Sequence, residues 1–241
     1  MIEIIGLEKS FGDVCAVQDL NLSINKGVFY VLLGPNSAGK TTTIKILTGL
    51  LAPSKGRVIV AGMDIQKEPL AVKKKVSYIP DFPFVYDKLT GLEFLQFIAD
   101  IHDLAQEKAK LKIDELLDYF ELTLVQHKLL ESYSHGMKQR LVFCAAILTG
   151  PEVFLIDEPM VGLDPRSARL VKDKLKRMST DGTTLFVSTH TLSFAEELAD
   201  RIGIIYKGKL LIDASPSEIM KYAKDGSGGM EQAFLDLTRE M

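Results

Sequence analysis

The fold of this chain is decided by residues 34–41, which read Gly34-Pro35-Asn36-Ser37-Ala38-Gly39-Lys40-Thr41. A glycine, four residues and then Gly-Lys-Thr is the spacing of a P-loop, whose backbone curls around a phosphate group. The lysine places a positive charge on the β- and γ-phosphates, and the Thr41 hydroxyl suits Mg²⁺. Thr42 follows in the predicted helix, whose first N–H groups point at the anion. We therefore predict that residues 34–42 bind a nucleotide; the alternative is a glycine-rich turn without a ligand.

The segments on either side of the P-loop fit this prediction. Residues 28–33 form a continuous apolar run and predict a buried strand, whereas residues 42–47 have apolar positions at helical spacing. Residues 2–7, 20–24 and 56–62 read as further short strands, the first two alternating as if half exposed to water. We therefore expect a small antiparallel sheet beside a nucleotide-binding core.

Composition and charge exclude several classes of protein. The chain has 241 residues with a net charge of −3, 46% hydrophobic residues and 25% charged residues, which is ordinary for a globular protein. A basic nucleic-acid-binding protein is disfavoured, and we expect no nucleic-acid partner. No apolar run approaches the roughly 18 residues of a membrane helix, and the N-terminus lacks the pattern of a signal peptide. We therefore expect a soluble, cytoplasmic protein.

The two cysteines of the chain point to no metal site or disulfide framework. Cys15 and Cys144 lack the close, paired spacing that either would require. We expect both to be small buried side chains in a reducing compartment.

The second half of the chain changes from a helical pattern to an alternating one. Residues 87–150 have helical periodicity with charged faces, which predicts a helical insertion. After it, strand and helix patterns alternate, which predicts a doubly wound α/β core. The predicted strands are 75–79, 153–156, 183–188 and 202–206, and the helices 166–178 and 192–200. A flexible glycine-rich break at 226–229 is predicted before a last short helix at 230–239.

Polar side chains follow two of the predicted core strands. Asp157 and Glu158 come directly after residues 153–156, and His190 follows residues 183–188. Ligands bind at the carboxyl ends of parallel strands, which is also the edge that carries the P-loop. Asp157 then suits Mg²⁺, directly or through water, and Glu158 suits proton abstraction from the attacking water. His190 suits contact with the γ-phosphate; the alternatives are a solvated acidic strand end and a structural histidine.

A third segment is informative only through the family that it resembles. Residues 134–140 read Ser-His-Gly-Met-Lys-Gln-Arg, and on the residues alone they are a helix start capped by Ser134. Over essentially its full length, however, the chain resembles the ATP-binding subunit of ABC transporters. Residues 134–140 are similar to the ABC signature, and Gly162-Leu163-Asp164-Pro165 to the D-loop. His190 matches the switch histidine, and Phe11 matches the aromatic residue that stacks on adenine.

The resemblance implies a fold and a division of the chain. The fold is α/β, with a P-loop NTPase (RecA-like) core, an N-terminal antiparallel β subdomain and a helical subdomain insertion. Residues 1–241 then form a single ABC ATPase domain. Within it, residues 1–86 and 151–215 are the core, 87–150 the helical subdomain with the signature motif, and 216–241 a C-terminal helical tail.

The resemblance also implies a composite site for ATP and Mg²⁺. Two subunits, identical or paralogous, would form a head-to-tail dimer with two ATP molecules between them. Each ATP would contact the P-loop of one chain and Ser134 and Gly136 of the other, since a helix N-terminus with such residues suits a γ-phosphate. Thr41, Asp81 and Asp157 would be the metal ligands.

Three residues depart from the pattern of the family. Ser37 and His135 stand where glycine is usual, and Asp81 stands where the Q-loop glutamine is usual. Serine at position 37 is expected to be tolerated unless that position requires a positive φ. Ser134 and Gly136 remain beside His135, so we expect phosphate binding to survive. Asp81 can still ligate Mg²⁺, although it adds negative charge close to Glu158.

An aromatic cluster follows Asp81 directly. Phe82, Phe84 and Tyr86 either cap the core or, as the resemblance implies, border the groove that accepts a helix of the membrane subunit. Both interpretations stay open on the sequence alone.

The sequence therefore predicts an ATPase subunit that powers transport through a separate integral membrane permease. It is most similar to bacterial ABC-2-type export systems, so we expect it at the cytoplasmic face of the membrane. One alternative is a soluble ABC ATPase without a transport role, although such proteins usually carry two cassettes or long coiled coils. The other is a regulatory subunit that binds ATP with weak turnover.

Overall fold

The computed structural model describes residues 1–223 and 229–239, and within them two sheets and a group of helices form the fold. The strands are β1 (Ile2–Phe11), β2 (Val14–Ile24), β3 (Phe29–Leu33), β4 (Lys55–Val60), β5 (Met63–Asp64), β6 (Val76–Ile79), β7 (Val153–Asp157), β8 (Thr184–Thr189), β9 (Arg201–Tyr206) and β10 (Lys209–Ala214). The helices are α1 (Lys40–Leu47), α2 (Pro69–Lys73), α3 (Gly91–Ile101), α4 (Gln106–Tyr119), α5 (His135–Leu148), α6 (Pro165–Thr180), α7 (Leu192–Leu198), α8 (Pro216–Ile219) and α9 (Met230–Arg239).

The first sheet is the small antiparallel sheet expected from the sequence. Its strand order is β2-β1-β4-β5, and all of its pairs are antiparallel. Ile2 and Ile4 are buried and alternate with exposed residues, so one face of β1 packs on the core while the other meets water.

The second sheet is the predicted α/β core. Its order is β10-β9-β3-β8-β7-β6, and the strands from β9 to β6 are parallel. All residues of β3, β7 and β8 are buried because one face of this sheet packs on helices α3 to α7 and the other packs on α1 and the antiparallel sheet. The carboxyl ends of β3, β7 and β8 therefore lie side by side, and each is followed by one of the polar segments singled out above.

The helical segment between β6 and β7 packs on one face of the core sheet. Helices α3, α4 and α5 contribute Leu95, Leu116 and Phe143 to the same hydrophobic cluster as Phe154 of β7. The domain boundaries at residues 86/87 and 150/151 stay a prediction. No helix among the described residues is both long enough and apolar enough to cross a membrane.

The structure differs from the sequence expectations at a strand and at a cysteine. The strand β10 was not predicted; it pairs antiparallel with β9 across Lys207 and Gly208, whose φ values of 48° and 81° fit a tight hairpin. Cys144 is buried as expected, but the expectation is wrong for Cys15, which is exposed because it lies beside the β1–β2 turn. Residues 226–228 of the predicted break at 226–229 lie outside the described residues.

Candidate nucleotide-binding site

The P-loop connects the end of β3 to the start of α1, and its glycines are required by close backbone contacts. A Cβ on Gly34 would lie 2.4 Å from the carbonyl oxygen of Ile205. A Cβ on Gly39, which has a φ of 106°, would lie 2.5 Å from the carbonyl oxygen of Ala16. Both contacts are too short for any side chain, so the loop can follow this path only with glycine at these two positions.

Ser37 occupies a position that favours glycine. Its φ is 63°, in the left-handed region, where a residue with a Cβ is disfavoured by roughly 1–2 kcal/mol. Serine was expected to be tolerated here only if φ were negative. That condition is therefore not met. The P-loop keeps its shape at the expense of local strain, as often happens at functional sites.

Lys40 is buried and is surrounded by acceptors. Its side chain is 6% exposed, and Nζ donates to the carbonyl oxygens of Gly34 at 2.8 Å and Pro35 at 3.0 Å. Glu158 Oε1 lies 3.7 Å from the same ammonium group. Burial lowers the pKa of Lys40, and the charges of Glu158 and Asp157 oppose that shift. A phosphate group placed here would take over the role of these acceptors.

Asp157 ends β7 and is fully buried. Its Oδ1 accepts a hydrogen bond from the Ser188 hydroxyl, whereas Oδ2 has no partner with hydrogen-bond geometry. Burial raises the pKa of this carboxyl group, and the neighbouring hydroxyls of Ser188 and Thr41 counteract the rise. The charges of Asp81 and Glu158 raise the pKa further. A buried carboxylate oxygen without a donor, facing other carboxylates, is a suitable ligand for a cation.

Glu158 lies at the centre of the polar groups. Its carboxylate accepts from Thr189 Oγ1 at 3.0 Å and lies 2.9 Å from Nδ1 of His190. Its backbone has a φ of 48° and its N–H donates to the carbonyl oxygen of Ser188. This strained turn directs the carboxylate away from the strand and toward Lys40. His190 is 53% exposed, so its ring can contact a ligand at the surface of the site.

A single cavity of about 530 Å³ collects most of the predicted site residues. It is lined by residues 36–42 and by Phe11, Asp81 and Glu158, whereas Gly34, Pro35 and His190 are not among its lining residues. Phe11 is half exposed, and Lys9 Nζ lies over one face of its ring, 5.0 Å from the ring centre. Asp157 lies beneath the cavity, behind Thr41.

The signature segment does not join this cavity. Ser134 caps α5 and, like Gly136, is absent from the residues that line the cavity. His135 instead packs on its own D-loop, since a Cβ on Gly162 would lie 2.0 Å from its ring. The same ring lies 5.6 Å from that of Phe82. Within one chain, therefore, the predicted site residues form two groups, and those of the signature face elsewhere.

The oxygen atoms near Asp157 can hold a metal ion only if a bound nucleotide supplies further oxygen ligands. Among the described residues, no three His, Cys, Asp or Glu side chains form a metal-binding group. The chain offers the Thr41 hydroxyl and the carboxylates of Asp157 and Asp81, which is the sparse oxygen set typical of Mg²⁺ shared with phosphates. The unpartnered Oδ2 of Asp157 favours such an ion.

A family model described as "ABC transporter" matches residues 17–161 of this chain. The chain belongs to the ABC transporter family. As an ABC-type ATPase it binds and hydrolyses ATP.

Curated relatives extend the similarity over the whole chain. The daunorubicin resistance ATP-binding protein DrrA3 of Streptomyces coeruleorubidus is 36% identical over 90% of this chain and 69% of its own length. The linearmycin resistance ATP-binding protein LnrL of Bacillus subtilis is 32% identical over 100% of this chain and 79% of its own length. The chain spans 66% of the daunorubicin/doxorubicin resistance ATP-binding protein DrrA of Streptomyces peucetius.

Solved structures show the same fold. A structure described as the ATP-binding subunit of an ABC transporter matches with a TM-score of 0.92 and 26% identity, covering 98% of this chain and 99% of that one. A dimeric ATP-binding cassette in a post-hydrolysis state with ADP and Pi matches with a TM-score of 0.82 at 23% identity, over 89% of this chain and 98% of that one. The predicted α/β P-loop fold is thereby confirmed.

Sequence reasoning missed the two residues that form hydrogen bonds with Asp157 and Glu158. Ser188 and Thr189, the last two residues of β8, bond to Asp157 and Glu158 respectively. The available signal was the pair of hydroxyl residues at the end of an otherwise apolar strand. Parallel pairing places Ser188 beside Asp157, so the contact could have been inferred once β7 and β8 were taken as neighbours.

Proposed function

We propose that this protein is the ATP-hydrolysing subunit of an exporter, and that it binds Mg-ATP between two subunits to power a separate membrane-spanning subunit. One observation carries the proposal. The Glu158 carboxylate lies in the P-loop cavity within 3.7 Å of Lys40 Nζ and 2.9 Å of His190 Nδ1. A base, a cation for the phosphates and an exposed imidazole are thus held within a few ångströms of one another.

The roles of these residues follow from their contacts. Lys40 releases the carbonyls of Gly34 and Pro35 and binds the β- and γ-phosphates. Glu158 takes a proton from the attacking water, which adds to the γ-phosphorus while the bond to ADP breaks. His190 contacts the γ-phosphate and, through its contact with Glu158, keeps the base oriented. Thr189 supports the other carboxylate oxygen.

Thr41, Asp81 and Asp157 would hold the metal ion, and Phe11 would stack on the adenine. Bound Mg²⁺ neutralises the charge that develops on the phosphates. Asp157 is already fixed by Ser188, so its Oδ2 needs no rearrangement to face the ion. ATP and Mg²⁺ would share the cavity that Phe11 and Asp81 line.

The second half of each site comes from another subunit, identical or paralogous. The N-terminus of α5, with Ser134 and Gly136, is a suitable site for a γ-phosphate. It does not line the P-loop cavity of its own chain, so a head-to-tail dimer is the arrangement that brings the two together. The dimeric cassette with a similar fold supports this proposal.

The surface for the membrane subunit is the aromatic loop after Asp81. Phe82, Phe84 and Tyr86 are 69%, 73% and 48% exposed, which disfavours the interpretation that they only cap the core. Phe84 also lines a groove of about 270 Å³ between β6, α3 and α5. Exposed aromatic side chains next to a groove are typical of protein interfaces.

The names of the relatives, which confer antibiotic resistance or export a peptide, support an exporter and a place at the cytoplasmic face.

A Ser134→Arg variant tests the composite site. The arginine would meet the phosphate of the other subunit, so we expect ATP affinity of the monomer to be unchanged and ATP-driven dimerisation to be lost. Calorimetry at low protein concentration measures the first quantity, and gel filtration with Mg-ATP the second. Ser132→Arg, an exposed position two residues earlier, is the matched control. Loss of ATP affinity in monomeric Ser134→Arg would contradict the proposal.

A further inference from the structure

Within the part of the chain that the structure describes, two tyrosine hydroxyls are buried without a hydrogen-bond partner: those of Tyr30 and Tyr78. Leaving a hydroxyl unpaired in the interior costs about 1–3 kcal/mol. The two sites differ in their neighbours. The Tyr30 hydroxyl lies against Gly203 in the middle of the core sheet, whereas Tyr78 lies on the edge strand that leads to Asp81.

The sheet register brings Tyr78 to the same face as Asp157. Tyr78 pairs with Leu155 in the parallel β6–β7 ladder, and Asp157 follows Leu155 by two residues. Side chains two residues apart along a strand share a face, and Tyr78 and Leu155 contribute to the same cluster as Ile44 of α1. Diagonal neighbours on paired strands are roughly 7–8 Å apart, a distance that an aromatic side chain spans.

In the described part of the chain, two acceptors near Tyr78 lack a donor: Oδ2 of Asp157 and the Asp81 carboxylate. Asp157 is already held through Oδ1 by Ser188, and in the proposed function its Oδ2 faces the cation, so Asp81 is the carboxylate left for Tyr78. The Asp81 carboxylate, three residues after Tyr78, takes part in no hydrogen bond among the described residues and is exposed on the wall of the nucleotide cavity. Burial raises the pKa of the Tyr78 hydroxyl, and a tyrosine is protonated at neutral pH even at its ordinary pKa of about 10, so the hydroxyl can donate.

We propose that Tyr78 is a positioning residue of the cation site: when ATP and the cation are bound, its hydroxyl donates a hydrogen bond to Asp81 and holds that carboxylate beside Asp157. The proposal rests on the metal role of Asp81 in the proposed function. Asp81, Asp157 and Glu158 repel one another and the phosphates, and a donor on Asp81 offsets part of that repulsion. A hydrogen bond to a charged acceptor is about twice as strong as one between neutral groups. It also gives the buried hydroxyl the partner that it lacks.

Mn²⁺ binding to the ATP-loaded full-length chain tests the inference. Glu158→Gln is the background, so that ATP persists while electron paramagnetic resonance measures free and bound Mn²⁺. Tyr78→Phe is expected to weaken Mn²⁺ binding about tenfold, equivalent to about 1.4 kcal/mol. Tyr30→Phe removes an equally buried and unpartnered hydroxyl on another strand, and it is expected to leave Mn²⁺ affinity unchanged. Because each hydroxyl is unpaired in this structure and an unpaired buried hydroxyl is destabilising, neither variant should unfold at a lower temperature than the parent.

A double substitution distinguishes the inference from the proposed function. Asp81→Ala should weaken Mn²⁺ binding by itself, and adding Tyr78→Phe should then weaken it no further, because the two residues act through one hydrogen bond. If Tyr78→Phe binds Mn²⁺ as well as Tyr30→Phe does, or if its effect adds fully to that of Asp81→Ala, the inference is overturned while the metal role of Asp81 stands. If Asp81→Ala leaves Mn²⁺ affinity unchanged, the metal role itself is wrong.

Discussion

Replacing Glu158 with glutamine is expected to stop ATP hydrolysis without preventing ATP binding. Glutamine fits the same neighbours, since its oxygen can face Nδ1 of His190, 2.9 Å from the carboxylate, and its NH₂ can donate to the Thr189 hydroxyl. The amide cannot take a proton from water, however. Loss of a general base slows a reaction by about 10²–10⁴-fold, which corresponds to about 2.7–5.4 kcal/mol of activation free energy.

The contacts of Lys40 predict the effect on ATP affinity. Glu158 Oε1 lies 3.7 Å from Nζ, a separation at which unit charges attract by about 4 kcal/mol at an effective dielectric constant of roughly 20. ATP must compete with this attraction for the lysine. The variant lacks the competing charge, while Gly34 and Pro35 still hold the ammonium group at 2.8 and 3.0 Å. ATP affinity is therefore expected to be equal or higher.

Single-turnover phosphate release and calorimetry with ATP and Mg²⁺ measure the two effects separately. Glu196→Gln, on the exposed side of α7, is the matched control and should hydrolyse ATP at the parent rate. A Glu158→Gln variant that releases phosphate within about tenfold of the parent would remove Glu158 from the role of base, because tenfold is only about 1.4 kcal/mol.

Three further predictions concern the phosphate and metal sides of the site. Lys40→Ala should weaken ATP binding itself, because Nζ is the cation that the P-loop directs at the phosphates; unchanged affinity by calorimetry would refute that assignment. Asp81→Gln should keep the ATPase rate at saturating Mg²⁺ within about tenfold of the parent, since an amide oxygen still ligates Mg²⁺; a larger loss in a phosphate-release assay would make the carboxylate charge essential. Asp157→Asn should stabilise the nucleotide-free chain at pH 7, because burial raises the pKa of Asp157 above the ordinary 3.8 and its ionised form therefore destabilises the fold. That gain should vanish as the pH falls below 3.8, where the carboxyl is protonated in both the folded and the unfolded state. Thermal unfolding that shows no gain in stability at pH 7 would refute the desolvation argument.

Much of the fold could be predicted because its signals are local. The apolar run of β7 followed by Asp157 and Glu158 determines a strand, its end and the edge that carries the site. The P-loop spacing likewise determines a strand, a turn and a helix. These patterns need no knowledge of other parts of the chain.

The remaining features depend on contacts between distant segments. The positive φ of Ser37 belongs to the conformation of the whole loop, and residue type alone would not predict it. The packing of His135 on Gly162 joins the signature to the D-loop across the fold. The partners of Asp157 and Glu158 come from β8, about thirty residues later. Such contacts become predictable only once the strand order is known.

The central claim is that each ATP site combines the P-loop of one chain with the signature of another, and mixing two inactive variants tests it most directly. Lys40→Ala lacks the P-loop cation, and Ser134→Arg lacks a usable signature. In a mixed dimer, both defects fall in one site, and the other site is intact. The account predicts that an equal mixture regains about a quarter of the parent ATPase rate, because about half of the dimers are mixed and each has one working site. A mixture whose rate is only the average of the two variants measured separately would contradict the account.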